Sequence, residues 1–286
     1  MTKPLVHIVC GPTASGKTAY GIDLALKTNG EVINCDSMQV YKYLDIGTGK
    51  PTEEEKQGIP HHLMSILEPH DFYSVAKYKE DAVNAIEDIL TRGKTPIVVG
   101  GTGQYVSALM ENITYTEIDT DDNLRAKLME QAKVQGAEVL YQRLVELDPR
   151  AAERLSSGDT KRIIRAIEVK ITTGRSILDI EAESKLLESP YSFQVHMMDI
   201  PRDVLYDRIN RRVDLMVERG LLQETEMFMS WNLPESCPCA KAIAYKEMAT
   251  YIRGEQTLEE AKDYLKQKTR NYAKRQLTWF RNKIVK

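Results

Sequence analysis

A chain of 286 residues, 42% hydrophobic and 28% charged, has the make-up of an ordinary globular protein with core enough for one large domain or two smaller ones. Its net charge of -3 excludes a uniformly basic nucleic-acid binder but leaves room for a local basic face. Four cysteines are too few for a disulfide framework, Cys237-Pro238-Cys239 lacks a second ligand pair for zinc, and no apolar run is long enough to cross a bilayer.

The first apolar run, Leu5 to Cys10, reads as a strand and is followed by Gly11-Pro12-Thr13-Ala14-Ser15-Gly16-Lys17-Thr18. This is the G-x-x-x-x-G-K-[ST] pattern of a phosphate-binding loop, and the helical stretch Lys17 to Lys27 follows it in register. Successive backbone N–H groups wrap an anion, the helix start adds its positive end, and Lys17 adds a full charge. The Thr18 hydroxyl is placed to ligate a magnesium ion bridging phosphate oxygens.

Asn29-Gly30 makes a turn into a second strand, Glu31 to Cys35, which ends at Asp36. The interval from Cys10 to Asp36 is that of one strand–helix–strand unit, so a parallel sheet is expected with Asp36 on the same rim as the phosphate loop. A glycine-broken stretch, Asp45 to Pro51, precedes an acidic helix start at Glu53-Glu54-Glu55. His61 and His62 point to opposite sides on either kind of element, which suits hydrogen bonding better than shared metal ligation.

From Ser74 to Arg92, Val75, Tyr78, Ala82, Ala85, Ile86 and Ile89 repeat at three and four, an amphipathic helix capped by Ser74 and ended by Gly93. Thr95 to Val99 is a buried strand that breaks into Gly100-Gly101-Thr102-Gly103, with no acid at its end. Those glycines either bring backbone and the Thr102 hydroxyl close to a ligand or form a tight turn under the next helix; spacing leaves both open.

Residues 119–190 are helical and polar, a helical insertion into a core formed by 1–118 and 191–286. Within it Arg150, Arg154, Lys161, Arg162, Arg165, Lys170 and Arg175 outnumber Glu153, Asp159 and Glu168, a local positive field that favours a phosphate-rich partner. Ser192 to Met198 returns to the sheet, and Leu205 to Met216 is a helix with Arg208 and Arg212 on one face, candidates to clamp a phosphate. The stretch 262–286 carries Lys262, Lys266, Lys268, Arg270, Lys274, Arg275, Arg281, Lys283 and Lys286 against Asp263, interleaved with Tyr264, Tyr272, Trp279 and Phe280. Such a helix suits nucleic acid better than docking on an acidic surface.

The fold expected is α/β, a parallel sheet of the P-loop NTPase kind flanked by helices, with the helical insertion. Two functions fit: a P-loop kinase or NTPase with a lid, in which Asp36 holds magnesium or activates a hydroxyl, or a transferase that grips a diphosphate leaving group and acts on a nucleic acid. A nucleotide-driven RNA-binding switch is less economical.

The motifs GPTASGKT (11–18), DSMQVY (36–41), GTGKP (47–51), PHHL (60–63), VVGGTG (98–103), KRIIRAIEV (161–169) and TRNYAKRQLTWFR (269–281) stand in an order that resembles the tRNA dimethylallyltransferase family along nearly the whole chain. The resemblance implies transfer of a dimethylallyl group from dimethylallyl diphosphate to N6 of the adenosine 3′-adjacent to the anticodon, with the anticodon stem-loop of tRNA as partner and Mg2+ as cofactor. It implies Asp36 as general base, Thr102 beside the reacting amine, and Gly11 to Thr18 with Arg208 or Arg212 on the diphosphate. It further implies that Asp36, Ser37, Met38, Gln39, Thr160, Lys161, Arg162, Ile163 and Ile164 contact the tRNA. Departures are Gln104 where leucine is usual, bearing on the local pocket, and Ala244 in AIAYKE where the family has AIGYKE. With TWFR close to the last residue, the C-terminal zinc finger of some eukaryotic members is not expected. An adenylate isopentenyltransferase uses the same donor on a free nucleotide, but the insertion and basic tail are more surface than a small acceptor needs. With the first strand so near the N-terminus, no signal peptide is expected; the protein is expected to be a cytoplasmic monomer with free thiols.

Overall fold

The computed structural model describes residues 2–115, 121–234 and 236–284. It separates into two compact units, Met1–Met110 with Ser189–Lys286, and Glu111–Glu188. The boundary expected at 118/119 falls within 116–120, outside the described residues, as does Lys286.

The first unit holds a five-stranded, wholly parallel sheet of β1 (Leu5–Cys10), β2 (Gly30–Asn34), β3 (His61–His62), β4 (Thr95–Gly100) and β5 (Ser192–Met197) in the order β3-β2-β4-β1-β5. Helices α1 (Lys17–Thr28), α2 (Glu53–Lys56), α3 (Val75–Thr91) and α4 (Gly103–Met110) connect the first four strands and follow β4. The strand β3 has no counterpart in the sequence reading, because two residues are too few to show a period. It exists because His61 and His62 pair with Val32 and Ile33 at the sheet edge.

Alternation along β1 divides the core between the two sheet faces. Val6, Ile8 and Cys10 pack with Ile33, Val98 and the buried face of α3, whereas Val9 packs with Val32, Ile97, Val99 and Ala25 of α1. The Ser74 hydroxyl caps α3 by accepting from Lys77 N at 3.1 Å. Tyr78, Ala82, Ile86 and Ile89 then lie on one buried stripe, each isoleucine worth about 2 kcal/mol for the surface it removes from water. Because every strand runs the same way, the loops after β1, β2 and β4 open on one rim.

The second unit contains α5 (Asp122–Gln135), α6 (Ala137–Leu147), α7 (Pro149–Ala152), α8 (Thr160–Thr173) and α9 (Ile177–Glu183). Leu128, Leu140, Leu144, Ile163, Ile164 and Ile167 form its core. Beside it Glu168, fully buried, is met by the Arg125 and Arg165 guanidinium groups at 2.8 and 2.7 Å and accepts from Asp121 N at 3.1 Å.

The first unit is completed by α10 (Arg202–Glu218), α11 (Leu221–Ser230), a short 3-10 turn (Pro238–Lys241), α12 (Tyr245–Ile252) and α13 (Leu258–Lys283). The last helix is not only a charged face. Ala261, Leu265, Ala273, Gln276 and Phe280 are buried. Part of its charge is also spent inside the fold: Lys262 and Lys266 both reach Asp214 of α10 at 3.0 Å, and Arg281 reaches Asp199 at 3.0 Å. The four cysteines are free, and the Cys237 and Cys239 thiols donate to the Pro69 carbonyl at 3.0 and 2.9 Å. No helix among the described residues is long and apolar enough to cross a membrane.

Candidate active site

The loop Gly11 to Gly16 bends out of β1 into α1, with Ala14 at φ 61° and Gly16 at φ 91° turning successive amides toward one centre. The Ser15 hydroxyl is buried and has no hydrogen-bond partner among the described residues. Lys17 donates to the Pro12 carbonyl at 2.6 Å. Desolvation lowers its ammonium to about 8, against the pull of Asp36 and with the help of Arg212. Burial also lowers the Arg212 guanidinium, opposed by Asp36. These three charges therefore share one field.

Two cavities meet at this loop, and Lys17, Thr18, Gly49, Pro51, Arg212 and Met216 border both. The smaller, about 240 Å³, has Asp36, Gln39, Tyr272 and Gln276 as polar groups and Ile209, Val213, Ile243 and Leu265 as apolar walls. The larger, about 880 Å³, is lined by Ala14 to Thr18 and by Lys56, Arg208 and Arg219. A phosphate cradle thus leads into a partly apolar chamber with a carboxylate in its wall.

Asp36 is held in that wall from both sides. Asn34 accepts from Asp36 N and donates to the Asp36 and Leu63 carbonyls at 3.1, 3.1 and 2.9 Å. Asp36 Oδ1 accepts from Met38 N at 2.9 Å. One carboxylate oxygen is thereby tied to the backbone of its own segment. Thr102 does not line either cavity. Its N–H donates to the Cys35 carbonyl at 3.1 Å and its Oγ1 accepts from Ser37 N at 3.0 Å, so it braces the segment that carries Asp36.

Several expectations can be compared with these positions. Gly11 to Thr18, Asp36, Ser37, Met38, Gln39 and Arg212 come together on one rim. Arg208 is exposed and borders only the larger cavity, whereas Arg212 borders both and donates to the Gly49 carbonyl at 3.2 Å. A side chain on Gly49 would place its Cβ 1.5 Å from Arg212 Nη2, so glycine there makes room for the guanidinium. In the other unit, Ile163 and Ile164 point into the core while Lys161 and Arg162 are exposed. The stretch Thr160 to Ile164 therefore offers a partner its first three side chains. Gln104 is exposed on α4 and borders neither cavity. Ala244 does border the smaller one, at φ 108°, with its N–H donating to Glu247 at 3.0 Å.

Two polar groups that shape the site had no signal in the spacing. The Glu224 carboxylate, buried, accepts from the amides of Asp45, Ile46 and Gly47 and from Tyr245 OH, at 3.0, 2.8, 2.8 and 2.7 Å. It closes the loop carrying Gly49 around a single anion. Gln276, buried on α13, joins the phosphate loop to the β4–α4 loop. Its place in the motif at 269–281 was the sole clue to it.

Comparison with known proteins gives one direction. A family described as IPP transferase matches residues 39–283, and one described as isopentenyl transferase matches residues 4–65. The tRNA dimethylallyltransferase of Acetivibrio thermocellus is 47% identical over 276 residues, covering 96% of this chain and 88% of its own. That of Oceanobacillus iheyensis is 46% identical, covering 99% and 90%. Among solved structures, the tRNA isopentenylpyrophosphate transferase of Bacillus halodurans is 44% identical with a TM-score of 0.70, covering 99% of this chain and 88% of that one. A eukaryotic dimethylallyltransferase acting on tRNA is 34% identical with a TM-score of 0.84, covering 97% and 70%.

Proposed function

This chain belongs to the IPP transferase family of tRNA dimethylallyltransferases, and from that premise we propose that it moves a dimethylallyl group from dimethylallyl diphosphate to N6 of the adenosine 3′-adjacent to the anticodon in tRNA. The observation that carries the detail is the joining of an amide cradle to a partly apolar chamber containing Asp36. A diphosphate fits the first, and an isoprenoid and an adenine fit the second. A kinase reading leaves the apolar walls without a purpose.

In this reading the amides of Ala14 to Thr18, with Lys17, Arg212 and the exposed Arg208, hold the diphosphate and stabilise the charge it gains as the allylic C–O bond breaks. The N6 amine forms the new C–N bond and passes a proton to Asp36 Oδ2. The donors present fit magnesium: Thr18, which borders both cavities, supplies a hard oxygen, and diphosphate and water oxygens would complete the set. Bound there, Mg2+ would neutralise leaving-group charge. The adenosine must leave its stack to enter the chamber, which places Asp36 to Gln39 against the anticodon loop. Thr160, Lys161 and Arg162 at the start of α8 meet tRNA phosphates, and the work is done in the cytoplasm.

The test is to incubate the protein and magnesium with radiolabelled dimethylallyl diphosphate, offering unmodified tRNA or AMP, and to follow ATP turnover in parallel. Label in tRNA, recovered as N6-isopentenyladenosine on nuclease digestion, is the expected result. Label on AMP alone points to an adenylate isopentenyltransferase. ATP turnover without transfer returns the chain to the kinase class.

A further inference from the structure

The phosphate loop and the loop after β4 are joined by one side-chain amide. Gln276 Oε1 accepts from Thr13 N at 2.8 Å, and Gln276 Nε2 donates to the Gly101 carbonyl at 2.8 Å. The partners stand 263 and 175 residues away in sequence. Gln276 is 5% exposed and borders the smaller cavity. The approach is close enough that a Cβ on Gly101 would lie 2.2 Å from Gln276 Nε2, so the neighbouring backbone is shaped around this amide.

The connection continues beyond Gly101. Thr102, the next residue, donates from its N–H to the Cys35 carbonyl and accepts at Oγ1 from Ser37 N, so it grips the chain on both sides of Asp36. A path of hydrogen bonds and the Gly101–Thr102 peptide link therefore runs from Thr13 through Gln276 and Thr102 to the Asp36 segment. It joins the two ends of the site: the cradle for the leaving group and the base for the attacking amine. It also occupies the Thr13 N–H, so the diphosphate must be held by the amides from Ala14 onward.

We propose that Gln276 is a positioning residue for the transfer, setting the distance between the phosphate loop and Asp36 by bonding to Thr13 and Gly101 at once. The inference rests on the proposed reaction. Both bonds are required, because an acceptor alone would hold the phosphate loop and leave the Thr102 loop free. A displacement of the reacting groups by about 1 Å can cost on the order of a hundredfold in rate, whereas tRNA capture on distant surfaces is untouched.

The experiment compares Gln276→Met and Gln276→Glu with the parent, measuring kcat and KM for dimethylallyl diphosphate and for tRNA across pH, with thermal unfolding of each protein. Gln276→Met has similar length and no amide; its kcat is expected to fall by about a hundredfold with KM for tRNA unchanged. In Gln276→Glu the ionised carboxylate cannot donate to the Gly101 carbonyl, while the protonated acid can donate there and accept from Thr13. Its kcat relative to the parent should therefore rise as pH falls, by up to about tenfold per pH unit through the titration of that carboxyl. Parent-like kcat in Gln276→Met, or a pH-independent ratio for Gln276→Glu, overturns the assignment. If Gln276→Met does not fold, the pH ratio of Gln276→Glu decides alone. Absence of tRNA prenylation by the parent would instead sink the proposed function.

Discussion

The two units solve different problems with similar side chains. In the first, cavity walls come from Thr13, Asp36, Gly49, Arg212 and Gln276, and single polar groups pull distant loops together across up to 263 residues. In the second, the bonds around Glu168 come from Asp121, Arg125 and Arg165, at most 47 residues away, and the helices pack on one small apolar core. Glu224 and Gln276 in the first unit fix the loops that border the candidate site. Glu168 in the second holds a helical scaffold, and Lys161 and Arg162 lie at its surface. Chemistry demands long-range precision, and phosphate recognition demands only charge on a stable platform.

The largest expected effect falls in the first unit. Asp36→Ala should lower transfer by about a thousandfold, within the span of general-base contributions, while donor binding measured by calorimetry stays near the parent's. Near-normal turnover would remove Asp36 from the base role and erase the contrast at its sharpest point.

Next comes the second unit's own centre. Glu168→Leu should leave the Arg125 and Arg165 groups without their partner and destabilise the protein by about 2 kcal/mol, read by denaturant unfolding. Purified folded protein should keep parent-like turnover of free donor and a saturating anticodon stem-loop. A loss of turnover with no loss of stability would mean that the second unit also sets reaction geometry.

Changing Lys161 and Arg162 together to Ala should weaken tRNA binding and reduce the slope of log affinity against log salt by about 2, one for each phosphate contact. An unchanged slope would take this end of α8 off the RNA. The smallest effect tests backbone strain beside the site. Ala244 sits at φ 108°, a region that costs a residue with a Cβ about 1 kcal/mol or more. Ala244→Gly should therefore raise stability by about 1 kcal/mol in thermal unfolding; a fall would show that the Ala244 methyl contributes more by packing than it costs in strain.

Local patterns made much of the core legible. The loop from Gly11 to Thr18 depends on adjacent amides, the stripe on α3 depends on a period of 3.6, and Asp36 follows a strand whose neighbours are in sequence; each is written within a few residues. The basic stretch at 262–286 was legible as charge but not as a wall of the cavity. Leu265, Tyr272 and Gln276 turn inward only because α13 packs against the rest of the first unit. Thr102 was legible as a residue near the site, while its role as a brace on Ser37 required the fold.

By itself, then, the sequence determined the glycine-rich turn from Gly11 to Thr18 and the parallel sense of the strands beside it, since covalent spacing dictates those. Tertiary structure alone decided that Glu224 would gather the amides of Asp45 to Gly47, that Arg212 would rest on Gly49, and that Gln276 would join Thr13 to Gly101. Those bonds form between segments far apart in the chain. No periodicity records them, because their partners meet only after the sheet and α13 have closed around buried polar groups that must find one another.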